Sequence, residues 1–296
     1  MRIILYFLFL LATGVISSCE RTIDLDLENT EPKIVVDGYI ETGLPPYVLL
    51  SQTSGYFDPV SSSTIINDAI SGATVFISDE VDTVQLHELK TNGVLQKGLY
   101  VALDTLTFNF LMTGIPGRTY HLSITTPDGK QVSSKAKLQQ PVALDSVWFQ
   151  LIEGNDSLGL AYGRLDEPDT VGNCYRWHAK RVGKDNVFIA PLGAVFDDRF
   201  VNGKNFDLFY NRGSIQNSEA EDDNNEEAGL FKRGDTIVVK FTAIDRGVFE
   251  FWRDAEQQIS NNGSPFAVPS NIKSNISGGI GLFASYAPVY DTLIAP

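Results

Sequence analysis

Along this chain apolar and polar residues alternate in short runs. From Lys33 onward the segments KIVVDGYI, PYVLLSQ, ATVFIS, TVQLHEL, GLYVAL and TYHLSITT are rich in Val, Ile, Tyr, Phe and Thr, and Gly, Pro, Asp and Ser clusters separate them. That spacing predicts strand after strand. In TYHLSITT, Tyr120, Leu122 and Ile124 fall on one side and His121, Ser123 and Thr125 on the other. One dry face opposite one wet face is the antiparallel pattern. Pro127-Asp128-Gly129-Lys130 then reads as a hairpin turn into QVSSKAKL. No helical period appears before residue 140. Residues 33–140 are therefore expected to form a β-sandwich of immunoglobulin-like size.

Pro141 reads as a hinge into a second β domain, 141–296, open or barrel-like. Its strands are expected at LDSVWFQL, SLGLAYGRL, CYRWHAKRV and TIVVKFTAI. One helix is expected near 246–260. Asp245 stands as its N-cap, Val248, Phe249, Trp252, Ala255 and Ile259 recur at three and four, and Asn262-Gly263 close it. Trp148, Trp177 and Trp252 all read as core. The fold class expected is thus all-β, with a single packed helix.

The first residues follow another pattern. Met1-Arg2 precedes an unbroken apolar run from Ile3 to Ala12, and Ser17-Ser18-Cys19 follows a few residues later. A basic start, a short apolar run and small residues make a secretory leader. The run is too short for a spanning helix, which needs about 20 apolar residues. The small residues before Cys19 look like a lipobox, so residues 1–18 are expected to be removed and Cys19 lipidated. Residues 19–32 form an acidic tether in which Ile23, Leu25 and Leu27 alternate with Asp24, Asp26 and Glu28. Each buried CH₂ of an acyl chain is worth about 0.8 kcal/mol, so two or more chains anchor a protein stably.

Charge narrows the partners. The formal charge is −14, and loss of the leader with its one Arg2 makes it −15. An acidic body argues against nucleic acid, whose phosphates need basic patches. Glu219 to Glu227 holds six carboxylates in nine residues, which reads as a solvated loop. With Cys19 lipidated, Cys174 has no disulfide partner within the chain and reads as a small buried hydrophobe.

PKIVVDGYI, PYVLLSQTSGYF, INDAISGATVFISD, CYRWHAK and SPFAVPSNIKSNISGGIGLFASY resemble the domain-of-unknown-function 4249 family over nearly the whole mature chain. The last motif is the most specific. Where family members often have an aromatic before Tyr-Arg-Trp, this chain has Cys174. The resemblance implies a lipoprotein of Bacteroidota encoded near a TonB-dependent outer-membrane transporter, and it implies no known activity. Residues 34–126 also resemble transthyretin-like sandwiches, through Asp68-Ala69, Gly72-Ala73-Thr74-Val75 and Gly98-Leu99-Tyr100.

The chemistry-bearing residues are sparse. There are three histidines, of which His87 and His121 fall on polar strand faces, and neither Gly-x-Ser-x-Gly nor a histidine pair at metal spacing occurs. Asp197-Asp198 and the 219–227 run are the acidic pairs to weigh for calcium, but the EF-hand pattern is missing. No catalytic, cofactor or metal residue is assigned and no cofactor is expected. Tyr47, Tyr56 and Phe57, at or near loops, are the candidates for ligand contact. The function expected is a non-catalytic accessory or ligand-binding lipoprotein of an outer-membrane TonB-dependent transporter, on the periplasmic or cell-surface face, its ligand undefined. A surface glycan or peptide hydrolase and a structural or adhesive lipoprotein are the alternatives.

Overall fold

The computed structural model describes residues 31–54, 67–91, 93–213, 229–261 and 271–296. The leader, Cys19, Tyr56, Phe57, the 219–227 run and Asn262-Gly263 lie outside these residues. Pro32–Pro296 form one compact unit. It is mostly β, with a single α-helix among the described residues.

The period-two runs form strands where the pattern places them. In chain order these are β1 (Ile34–Glu41), β2 (Tyr47–Gln52), β3 (Thr74–Ser78), β4 (Thr83–Thr91), β5 (Val94–Val101), β6 (Thr119–Thr125), β7 (Gln131–Lys137), β8 (Ser146–Leu151), β9 (Leu158–Asp166) and β10 (Cys174–Arg181). Three strands follow that the pattern does not predict, β11 (Val195–Asp197), β12 (Asn205–Tyr210) and β13 (Phe231–Lys232). Then come β14 (Thr236–Ile244), the helix α1 (Arg246–Asn261), the short β15 (Ile276–Ser277) and the long β16 (Ile280–Ile294). In β6, Tyr120, Leu122 and Ile124 are buried while His121, Ser123 and Thr125 face solvent, as the alternation requires. The β6–β7 turn closes through Thr126 N–H donating to Lys130 O at 3.0 Å.

Twelve strands form one large sheet, in the order β11-β10-β14-β16-β1-β2-β5-β4-β3-β6-β7-β15. Residues on both sides of Pro141 share this sheet, because β16 inserts between β14 and β1. It runs antiparallel to β14 but parallel to β1, so the sheet is mixed. Close approach explains the glycine at Gly38, which lies opposite Phe283. A Cβ there would sit 2.7 Å from the phenyl ring. The glycine-rich step of the last motif also has a steric reason. Gly278 and Gly281 have positive φ, and a Cβ on either would lie within 2.3 Å of a carbonyl oxygen of β7 or β1. Asn275 pins this step by donating to Phe283 O and accepting from Phe283 N–H, at 2.8 and 2.9 Å.

A second sheet centres on β9, with β12 and β13 along one edge and β8 along the other. Its inner residues Ala161, Leu165, Leu208 and Phe231 join Trp177, Phe241, Phe283 and Ile40 of the large sheet in one core. α1 covers the opposite face of the large sheet. Asp245 caps it, accepting from Val248 N–H at 2.8 Å. Val248 and Phe249 pack with Cys174, Ile244, Leu282, Ala284 and Tyr286. Ile259, expected on the apolar stripe, is exposed.

Of the three tryptophans only Trp177 is fully buried, while Trp252 packs against the apolar cluster under α1. Trp148 is half-buried on the outer face of the small sheet, stacked on Tyr162 with ring centroids 5.4 Å apart. Its strand faces the core with one side only, and Trp148 lies on the other. Trp252 is half-buried as well, for a reason that belongs to the site it helps to form.

Candidate functional site

Strand β10 sends Tyr175, Trp177 and Ala179 into the core, so its alternate residues Arg176 and His178 share the opposite face with Cys174. The register carries this face across the sheet: Arg176 lies opposite Thr242, His178 opposite Lys240, Lys240 opposite Tyr290, and Tyr39 of β1 opposite Tyr47 of β2. A strand face with this many polar groups is expected in water. Here α1 and the segment carrying Phe188 lie over it, and Arg176, Lys240 and Glu41 are buried.

At one end of this seam the charges are fully partnered. Lys240 Nζ donates to Glu41 Oε2 at 2.5 Å and to Tyr39 OH at 3.1 Å. Tyr290 OH donates to Glu41 Oε1 at 2.7 Å, and Tyr39 OH also donates to Glu41. The rings of Tyr39, Phe188 and Tyr290 surround the ammonium with centroids 5.8 to 5.9 Å away, within reach of cation–π attraction. Tyr39 itself stacks between Tyr47 at 5.2 Å and Tyr286 at 4.7 Å. Burial is the main reason the phenol of Tyr47 is pushed up to about 12. Tyr47, read from sequence as a ligand contact, therefore stands at the margin of this seam.

At the other end they are not. The Arg176 guanidinium lies 3.4 Å over the Trp252 ring, and the half-buried indole also packs against the apolar cluster under α1. Trp252 Nε1 donates to Tyr286 OH at 2.9 Å, and Arg176 Nη1 reaches the same oxygen at 3.5 Å. Arg176 Nε has no hydrogen-bond partner. Glu256, one turn beyond Trp252 on α1, accepts from Gly193 N–H through Oε2 at 3.0 Å, while its Oε1 has none. Burial lowers the Arg176 pKa and raises that of Glu256, and each partly offsets the other's shift through its charge. Yet no ion pair joins them among the described residues. Both line an opening of about 380 Å³, walled also by Pro191, Leu192 and Ile259. His178, between the two ends, is held well below its ordinary pKa first by burial and then by the positive charges of Arg176 and Lys240.

The other sequence candidates fall elsewhere. Cys174 is buried, and burial pushes its thiol up to about 12, which suits a packed residue and not a nucleophile. His87 and His121 are exposed, and His121 lies 3.3 Å from Glu80. Asp197 is engaged by Arg199 and Arg246 at 2.9 and 2.7 Å. Asp198 accepts the N–H groups of Gly172 and Asn173 at 2.6 and 2.8 Å. Both Asp197 oxygens and Asp198 Oδ2 are thus committed to protein partners, and no set of three metal-ligating side chains gathers among the described residues.

Sequence reasoning missed Arg176, Glu256, Lys240 and Glu41. The signal for the first lay in CYRWHAK, where a strand with one core face places cations on the other. Glu256 sits beside Ala255 of the helical stripe, so a carboxylate bordering that stripe was legible as a second clue.

Comparison with known proteins bears on most of this body. The family model described as "Domain of unknown function (DUF4249)" matches residues 20–290. No curated protein matches the chain.

Proposed function

Because the chain belongs to the domain-of-unknown-function 4249 family, we propose that it acts as a lipid-anchored binding subunit beside an outer-membrane TonB-dependent transporter. The observation that carries the binding part is the opening lined by Arg176, Trp252 and Glu256, where two buried charged side chains meet a concave wall without forming an ion pair. Buried charges left unpaired are costly, and such convergent polar groups in a concave wall are the mark of a ligand site. The anchor rests on the leader and Cys19. The transporter rests on what the sequence resemblance implies. The non-catalytic reading is supported by Cys174, which is buried and whose thiol is pushed up to about 12 by burial. Within the β body, 33–140 and 141–296 are read as two sandwich-like halves sharing one sheet.

The test is a mild-detergent pull-down of the full-length protein from its own envelope, with the eluate identified by mass spectrometry. A TonB-dependent barrel in near-equal amount is the expected result. Recovery of the lipoprotein alone overturns the accessory role.

A further inference from the structure

We propose that the loop between β5 and β6 is a second membrane contact, a rigid apolar tip that enters the bilayer to which Cys19 is anchored. The proposal rests on the lipid-anchored reading above and adds an orientation to it.

Four of the six residues from Leu106 to Leu111 are large and apolar, and all four are exposed. Leu106, Phe108 and Phe110 stand 88 %, 58 % and 56 % in the open. Leu44 and Ile115 are exposed as well, and the chain bearing them is joined: Gly43 N–H donates to Gly114 O at 2.9 Å and Gly114 N–H to Leu44 O at 3.1 Å. From Thr105 to Gly117 no residue is charged, in a chain whose net charge is −14.

The loop is held in one shape. Asp104 N–H donates to Asn109 O and Phe108 N–H to Asp104 O, both at 2.9 Å, and Leu111 N–H reaches Ala102 O at 3.0 Å. The Asp104 carboxylate accepts the N–H groups of Leu106 and Thr107 at 3.0 and 2.7 Å. Beneath it, Met112 and Tyr120 belong to the core, and the Tyr120 hydroxyl accepts from Ile115 N–H at 2.7 Å. Phe108 has a φ of 58°, a conformation that suits glycine and costs a bulky residue. An exposed phenyl gains no packing in return, and strain of this kind gathers where a side chain has work outside the fold.

Two observations favour lipid over a protein partner. The first is size. A stable protein interface buries about 800 Å² on each side over roughly 20–30 residues, and the six apolar side chains here fall short of that. A tip on an anchored body needs no such area, because the tether already holds the bilayer at high effective concentration. The second is the backbone. The N–H groups of Leu106, Thr107, Phe108 and Leu111 have partners within the chain, so leaving water breaks none of those bonds, the condition for backbone in lipid. The missing charges remove the other large cost of entry. The tip lies at the Glu41 end of β1, where Thr42 bridges to Gly114. Residues 19–32, at about 3.3 Å each, can span roughly 46 Å. Eight strand residues cover only about 26 Å, so an anchor at Cys19 leaves the tip within reach of the same bilayer.

The test places a bimane label at position 106 (Leu106→Cys) or position 130 (Lys130→Cys) of the full-length protein, reconstituted through its anchor into phosphatidylcholine vesicles. Cys174 is buried and does not compete for the label. Lys130 is exposed in the β6–β7 turn, at the other end of the strands. A nitroxide on the upper acyl chain, near the depth of about 5–10 Å that interfacial segments reach, should quench position 106 roughly threefold more than position 130. Phe108→Gly with Phe110→Ser should abolish that difference at an unchanged melting temperature, since the glycine relieves the backbone. Equal quenching at the two positions, or stronger quenching at 130, overturns the proposal. A label at 106 that lipid does not quench, yet that is shielded from aqueous iodide in native envelopes, marks a protein site and overturns it too. Mass spectrometry of the purified protein reads the acyl chains on Cys19. Acylated protein with an unquenched tip sinks this proposal alone. Protein without acyl chains sinks the anchoring reading, and the same labels then decide the tip on protein mixed with millimolar lipid.

Discussion

The two ends of the seam on the large sheet hold the same ingredients in different states. Lys240 and Glu41 touch, and two tyrosine hydroxyls complete the carboxylate. Arg176 and Glu256 are not ion-paired, and each has one buried atom without a hydrogen-bond partner. Both pairs join one strand to a distant element, and both are buried by what lies over the sheet. The closed pair fixes the β1–β14 neighbourhood and has nothing left to offer a ligand. The open pair is only partly compensated inside the protein, by the Trp252 ring and Tyr286 for Arg176 and by Gly193 N–H for Glu256. The first is architecture, and the second is the part of the seam available for recognition.

Breaking the closed pair should have the largest effect. Lys240→Met leaves Glu41 charged and buried, and removing one partner of such a pair costs about 3–5 kcal/mol. Chemical denaturation should show that loss, and the double variant Lys240→Met with Glu41→Leu should recover most of it. Full stability in the single variant would mean that the pair is solvated. Tyr290→Phe deletes only one hydrogen bond to Glu41 and should cost about 1–3 kcal/mol, the penalty for an acceptor left without its donor.

The open pair should respond in the opposite sense. Glu256→Gln removes a carboxylate whose pKa is raised by burial, so at neutral pH the unliganded variant should be as stable as the parent or slightly more so. The sign follows from linkage. A carboxyl whose folded pKa lies above its unfolded value penalises the fold once ionised. The advantage of the variant should therefore grow as pH rises through and above the ordinary carboxylate range. It should vanish below that range, where both states are protonated. Thermal melts of the two proteins across pH 3 to 8, a window of roughly the acid-to-neutral range over which carboxylates titrate, check it. An unchanged difference at every pH would show that Glu256 is not held in a perturbed environment.

Much of the fold was legible because its strands obey period two. β1, β6, β10 and β14 fall on the runs that predicted them, and the helix begins at its predicted cap, Asp245. Of the strands that escaped, β11 has three residues and β13 and β15 two each, whereas β12 has six. Pairing partners were not legible. Period two is the same for parallel and antiparallel neighbours, so nothing in GLFASY announces that β16 lies parallel to β1. The site was hidden by a related assumption. Arg176 and Lys240 alternate with core residues along their strands, but a polar strand face is read as wet unless something covers it. The cover comes from α1 and from the chain around Phe188, whose positions depend on tertiary packing. Trp148 shows the converse: a large aromatic reads as core, yet its strand has one inward side only.

The insertion of β16 into the middle of the sheet has a consequence for how the chain reaches this state. Its fifteen residues follow every other described strand, yet they supply a neighbour of β1, the first of the described strands. Contacts that join the two ends of a chain carry the largest loop-closure penalty and slow the search. Until Ile280–Ile294 arrive, β1 and β14 each present a bare edge, the state in which strands pair with the wrong chain. Folding of this body should therefore be a cooperative event that waits for β16, and a chain cut short before Ile280 should remain a collapsed, association-prone intermediate.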